Sequence, residues 1–187
     1  MTPGALTYVA LLRAVNVGRS NRVGMADVRR ALESLGYRDV RTYLQSGNAV
    51  FSAASQPVGD LAREIAVNLR AECAIDVSVV VVDAGELAEI ARDNPLLHEA
   101  DVDEETLHLI VFDEAPDASR FAGLALPVQG GERAELRGRA LYLALPQGMA
   151  RTKLGNSYFE RVLCRAGTAR NWRTVSALLK MACEPAG

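Results

Sequence analysis

Cysteine is scarce in this chain, with Cys73, Cys164 and Cys183 the whole supply in 187 residues. An odd, widely spaced set fits reduced thiols and not a disulfide framework. Histidine is scarcer still, limited to His98 and His108, and no zinc-ligand spacing can be built from these five residues. No metal and no cofactor is expected. Aromatic residues are 5% of the chain, and no RNP-like aromatic pair falls in the expected strands, which counts against a sheet that stacks single-stranded nucleic acid. No apolar run approaches the ~18–20 residues of a membrane span. Met1 to Ala5 carry no basic n-region, and Leu6 to Leu12 is short for a signal peptide. The expectation is a cytoplasmic protein with no membrane partner.

What is present is enough apolar material for a core, 49% of residues, in a chain long enough for one large domain or two small ones. The net charge of −2 argues against nonspecific nucleic-acid binding. It hides an asymmetry. Residues 1–52 hold seven basic and three acidic side chains, residues 53–147 seven and eighteen, and residues 148–187 seven and two. Two basic ends flank an acidic middle. Either the ends meet in space and make a dipolar molecule, or exposed helix faces simply differ in sign.

Leu6 to Leu12 reads as a buried strand. A long loop, Arg13 to Gly24, follows, and long ordered loops often bind ligands. Met25, Val28, Leu32 and Leu35 have helical spacing, and Gly36 is placed to end that helix. Val40 to Leu44 and Ala49 to Ser52 form a hairpin around Gln45–Asn48. Pro57 precedes a helix with Leu61, Ile65 and Leu69 on one face, and Asp76 to Val82 is a strand. The order βαββαβ is the ferredoxin-like split unit. Asp83 and Glu86 form a capping pattern for a helix ending near Asn94-Pro95. Beyond it, Thr106 to Phe112 is a strand and Ala118 to Leu124 a short helix. Arg133 to Leu136 and Ala140 to Leu145 pair around Gly138. Lys153 to Arg165 is helical, with Leu154, Tyr158, Val162 and Leu163 inward. Thr168 caps a last helix carrying Trp172, which reads as core. The fold class expected is α+β, with a ferredoxin-like subdomain over 1–94 and a partial echo, βαββαα, over 95–187.

Polar residues with directional hydrogen-bonding groups gather at element ends. In the first loop, Arg13, Asn16 and Gly18 lead into a helix N-terminus, which can receive an anion. The alternative is a connector in which Asn16 and Asn21 satisfy backbone groups and Gly18 takes positive φ. At the hairpin tip, Gln45, Ser46 and Asn48 surround Gly47, whose role is the turn. Near the end, Lys153 and Asn156 sit at a helix start, where the macrodipole disfavours a lysine, and Arg170 and Asn171 fall in the first turn of the last helix. These residues, Arg13, Asn16, Gly18, Gln45, Ser46, Asn48, Lys153, Asn156, Arg170 and Asn171, are the candidate ligand contacts. No catalytic constellation stands out: Ser46 has no histidine near it in sequence, and His108 reads as structural.

At these segments the chain resembles a bacterial family known as domain of unknown function 1697. The resemblance rests on Tyr8-Val-Ala-Leu-Leu-Arg-Ala-Val-Asn-Val-Gly18, Met25-Ala-Asp27, Val40-Arg-Thr-Tyr-Leu-Gln-Ser-Gly-Asn48 with Val50-Phe51, Lys153-Leu154, and Thr168-Ala-Arg-Asn-Trp172. It implies two α+β subdomains, the first ferredoxin-like, and brings no activity, cofactor or catalytic residue with it. Arg19 stands where a second glycine is usual, Gly24 replaces a common proline, and Gly155 and Ser157 depart from the common small-polar spelling. Three functions remain in view. The first is a protein that holds a small anionic or nucleotide-like ligand in a polar site between the subdomains. The second is a single-stranded nucleic-acid-binding module. The third is an enzyme of unrecognised type, with Lys153 as base or clamp. Oligomeric state is not legible.

Overall fold

The computed structural model describes residues 4–16, 21–97, 99 and 101–184. Elements run β1 (Ala5–Leu12), α1 (Met25–Ser34), β2 (Arg38–Tyr43), β3 (Asn48–Ala54), α2 (Val58–Cys73), β4 (Val79–Asp83) and α3 (Ala84–Arg92). A 3-10 turn at Glu104–Thr106 leads into β5 (Leu107–Phe112), α4 (Ala118–Ala122), β6 (Arg133–Arg137), β7 (Ala140–Ala144), α5 (Asn156–Leu163), β8 (Gly167–Asn171) and α6 (Trp172–Cys183). The chain divides into two units, Met1–Glu89 with Ala177–Gly187, and Ile90–Ser176. The division falls inside α3 and α6. The expected break at 94/95 lies a few residues after the first of these points, and the return of the chain to the first unit had no counterpart in the sequence reading.

In the first unit the sheet order is β2-β3-β1-β4, with β1 antiparallel to both β3 and β4. This is the ferredoxin-like arrangement that the βαββαβ order predicts. Helix α1 buries Met25, Val28, Ala31 and Leu32 on one face and ends where Gly36 turns left-handed at φ 83°, its N–H bonded to Glu33 O. Helix α2 buries Leu61, Ile65 and Leu69, one stripe at a spacing of four. Both stripes join the core with Tyr8, Phe51 and Tyr37. Tyr37 stacks on Phe51 with ring centres 4.6 Å apart. Its hydroxyl donates to Glu64 on α2 at 2.7 Å. Burial, reinforced by that carboxylate, raises the phenol's pKa above its ordinary value. Strand β2 carries a register shift between Arg38 and Arg41, where Asp39 has φ 53°. Arg41 then donates from Nη2 to Met181 O at 2.7 Å and Glu184 O at 3.2 Å. The guanidinium thus receives carbonyls that the end of α6 leaves without helical partners.

The second unit repeats the topology, with sheet order β6-β7-β5-β8 and every pair antiparallel. Its core holds Ile110, Phe112, Leu141, Leu143, Leu145, Leu154, Phe159 and Leu163. Each such side chain contributes about 1.5–3 kcal/mol by leaving water. Tyr142 is buried and donates its hydroxyl to Ile90 O at 2.9 Å. Burial, with Asp93 nearby, pushes its pKa up to about 12. The second unit departs from the expected order at its last strand. Residues 167–171 form β8, so the echo is complete, βαββαβ followed by a helix, and not βαββαα. Thr168 does not cap the last helix; it pairs with Val111 inside the sheet. Arg170 lies on β8 opposite Leu109 and not in a helical turn. The cap is Asn171, whose Oδ1 accepts from Thr174 N at 2.9 Å. Helix α5 is also shorter than the 153–165 span expected. Gly155 is extended at its start and Cys164 is left-handed at its end. Phe159, which the helical pattern passed over, is fully buried, while Tyr158 and Val162 are only half-buried. Trp172 is core, at 3% exposure.

Candidate functional site

In the first unit, the loop after β1 and the β2–β3 hairpin tip come together. Leu12 N donates to Gly47 O at 2.8 Å, and Arg13 N donates to Ser78 O at 2.9 Å. Asn16, at φ 56°, acts as a clasp. Its Nδ2 donates to Val23 O at 3.0 Å and Gln45 O at 2.7 Å, while its Oδ1 accepts from Val23 N at 3.0 Å. Asn48 is fully buried. Its Nδ2 donates to Tyr43 O at 2.9 Å and Ser46 Oγ at 3.0 Å. The amides of Asn16 and Asn48 are therefore engaged in closing a loop and a hairpin. Gln45 and Ser46 remain exposed at the tip, and Arg13 is half-buried. Gly18 lies outside the described residues.

The helix start beyond this loop differs from the one the anion reading envisaged. Gly24 caps α1 with no side-chain bond, and Asp27 already puts a carboxylate in the first turn. A cleft of about 490 Å³ lies beside it, lined in part by Arg22, Asp27, Arg30, Glu72 and Cys73. Two cations there face two anions, and Arg30 pairs with Asp27. Burial raises the Cys73 pKa, the Asp27 and Glu72 carboxylates raise it further, and Arg30 opposes them only in part. The cleft keeps that sulfur a thiol and not a nucleophilic thiolate.

In the second unit, Asn156 and Glu160 hold Gly167 from both sides. Asn156 Nδ2 donates to Gly167 O at 3.0 Å, and Gly167 N donates to Glu160 Oε1 at 3.0 Å. A Cβ at Gly167 would lie 2.8 Å from Phe112 Cδ1 and 3.0 Å from Ile110 Cγ2, so the β5 side chains packed against this end of β8 need glycine there. The Oδ1 of Asn156 is buried and meets no donor among the described residues. Arg170 donates from Nη1 to Thr168 Oγ1 and Ala169 O, both at 2.8 Å. Burial pushes its pKa down to about 10, so it is a cation at neutral pH.

Lys153 stands apart from that group. It lines an open cleft of about 450 Å³ with Pro127, Ser157, Tyr158 and Arg161. Asn156, Arg170 and Asn171 are not in its walls. The Arg161 guanidinium lies 5.8 Å over the Tyr158 ring, and that ring meets Phe159 edge-on at 5.1 Å. No lining residue among the described ones is acidic. Neither Lys153 nor Arg161 pairs with a carboxylate among the described residues. Arg161 was not a candidate in the sequence reading. The signal for it is its helical spacing from Ser157 and Tyr158, at i+4 and i+3, legible once α5 is known to begin at Asn156. Among the described residues no group of three or more His, Cys, Asp or Glu is placed to hold a metal, and no helix is long and apolar enough to cross a membrane.

A family model described as "Protein of unknown function (DUF1697)" matches residues 6–142. The chain belongs to this family. The match runs from β1 through most of β7, so it covers the Asn16 clasp and the hairpin and stops short of the Lys153 cleft. No curated protein matches this DUF1697 chain. Among solved structures, it is similar to the conserved bacterial protein SP0830 from Streptococcus pneumoniae, with TM-score 0.70 at 19% identity, over 96% of this chain and 99% of that one. The likeness establishes the two-unit fold of this DUF1697 protein and nothing about its activity.

Proposed function

We propose that this DUF1697 protein binds a small anionic ligand, and that the cleft lined by Lys153 and Arg161 in the second unit receives it. One observation carries the reading: two cations without carboxylate partners open into one cleft whose lining includes no acid, all among the described residues. In the cleft beside α1, by contrast, Arg30 faces Asp27. An anion here gains charge-assisted hydrogen bonds without displacing an existing pair. The cleft's size lies within the roughly 300–1,000 Å³ of small-molecule sites. Among the described residues its lining has no carboxylate, histidine or thiol, so these residues are equipped to hold a ligand more than to transform one. The nucleic-acid reading gains no support from the strands, because Tyr8, Phe51, Phe112 and Tyr142 are buried and Tyr43, half-buried at the end of β2, has no exposed strand aromatic beside it among the described residues.

Thermal unfolding of the full chain with inorganic phosphate, citrate and mononucleotides, at low ionic strength, tests this. A ligand at 100 times its Kd stabilises by ~2.7 kcal/mol. A rise in Tm with at least one anion, absent in Lys153→Ala, is the expected result. A flat response to all of them removes the reading.

A further inference from the structure

We propose that the anion of this cleft is a phosphomonoester borne on a planar ring, of the nucleoside monophosphate kind. The proposal rests on the anion-binding reading and narrows it to a ligand class.

Charge sets the first limit. Among the described residues the lining supplies two cations and no acid. A phosphomonoester carries about −1.5 to −2 charge at neutral pH and matches that pair. A monocarboxylate leaves one cation uncompensated, and a triphosphate brings more charge than the cleft neutralises. Donor geometry sets the second. The three terminal oxygens of a phosphate call for several donors at once. The Lys153 ammonium, the Arg161 fork and the Ser157 hydroxyl border one space. Ser157 and Arg161 are one helical turn apart on α5 and so present their groups on the same side.

The apolar walls set the third limit. Tyr158 and Pro127 line the same cleft. The Tyr158 ring is steadied by its edge contact with Phe159. Arg161 lies over it at cation–π range. A guanidinium held against an aromatic ring keeps its N–H groups directed outward in its own plane, toward a phosphate. A ligand that offers only phosphate leaves the tyrosine and proline surface unused. One that adds a planar ring covers it.

Isothermal titration of the full chain with four probes reads this out: adenosine 5′-monophosphate, adenosine, inorganic phosphate and succinate. The monophosphate is expected to bind at least tenfold tighter than any of the other three. Lys153→Ala and Arg161→Ala should each weaken it about tenfold, the loss of one charge-assisted contact. Lys153 is exposed, so its variant should keep the wild-type Tm. If phosphate or succinate binds as well as the monophosphate, the ring has no place, and the inference fails while the anion reading stands. If adenosine binds as well as the monophosphate, the phosphate subsite is wrong. If none of the four binds, both the inference and the anion reading fall.

Discussion

The side-chain amide of Asn16 reaches across the loop after β1 to the main-chain carbonyl of Gln45, 2.7 Å away at the tip of the β2–β3 hairpin. The same side chain accepts from Val23 N and donates to Val23 O. One residue thus fixes both ends of the loop and its distance from the hairpin. Replacing Asn16 by Ala removes all three bonds and leaves a residue at φ 56° with no polar compensation. We expect a loss of about 2–3 kcal/mol, read as a lower Tm or a lower denaturant midpoint. Asn16→Asp keeps the acceptor and loses the donor, so it should fall between the two. An unchanged midpoint in Asn16→Ala would show that the clasp does not hold the loop.

Gly47 and Gly36 separate backbone strain from crowding. Both have positive φ, 73° and 83°. A Cβ at Gly36 meets nothing within 4 Å, whereas one at Gly47 would lie 2.3 Å from Val15 Cγ2 and 2.7 Å from Leu12 Cβ. Gly36→Ala carries only the conformational cost, about 1 kcal/mol. Gly47→Ala adds the clash between the hairpin tip and the end of β1, bringing the cost to about 3 kcal/mol or more. Equal losses in chemical denaturation would contradict the packing described here.

His108, on β5, has its Nδ1 3.0 Å from Thr106 O. Burial lowers its pKa below the usual 6.5, and the contact with Thr106 O opposes this only in part. The folded state therefore resists protonation more than the unfolded chain does. Below pH 6.5 the unfolded chain binds the extra proton, so stability falls as pH drops from that value toward the folded pKa. His108→Gln should flatten this part of the profile. The check is the difference in Tm between wild type and variant from pH 8 to pH 5, since carboxylates common to both cancel. A constant difference over that range would remove the effect.

The first unit was legible in the sequence because its signals are local and mutually consistent. Met25, Val28 and Leu32 recur at a helical period and Gly36 stops the helix. Leu61, Ile65 and Leu69 do the same for α2, and β1 and β4 are short apolar runs. Strand β8 was not legible. Gly167-Thr-Ala-Arg-Asn171 has no apolar alternation, because its two buried positions hold Gly167 and Thr168, and the close approach of Phe112 demands glycine where a strand former would otherwise stand. Arg170 looked helical for the same reason, its neighbour Asn171 being a real helix cap. The candidate site was legible only as residue types. Nothing local shows whether an amide is engaged by a backbone carbonyl 29 residues away, as Asn16 is by Gln45.

The sequence by itself determined the secondary elements of the first unit, its split-βαβ plan and the α+β class, since period, caps and turns act over a few residues; that the second unit completes the same plan was decided by β8 pairing with β5. Tertiary structure decided which polar groups are consumed and which stand open. Asn16 and Asn156 hold backbone groups brought near by folding, Asn48 is spent inside its own hairpin, and Lys153 and Arg161 share a cleft without a carboxylate among the described residues. Hydrogen-bond partners separated in sequence are chosen by the packing of elements, and no pattern along the chain records that choice.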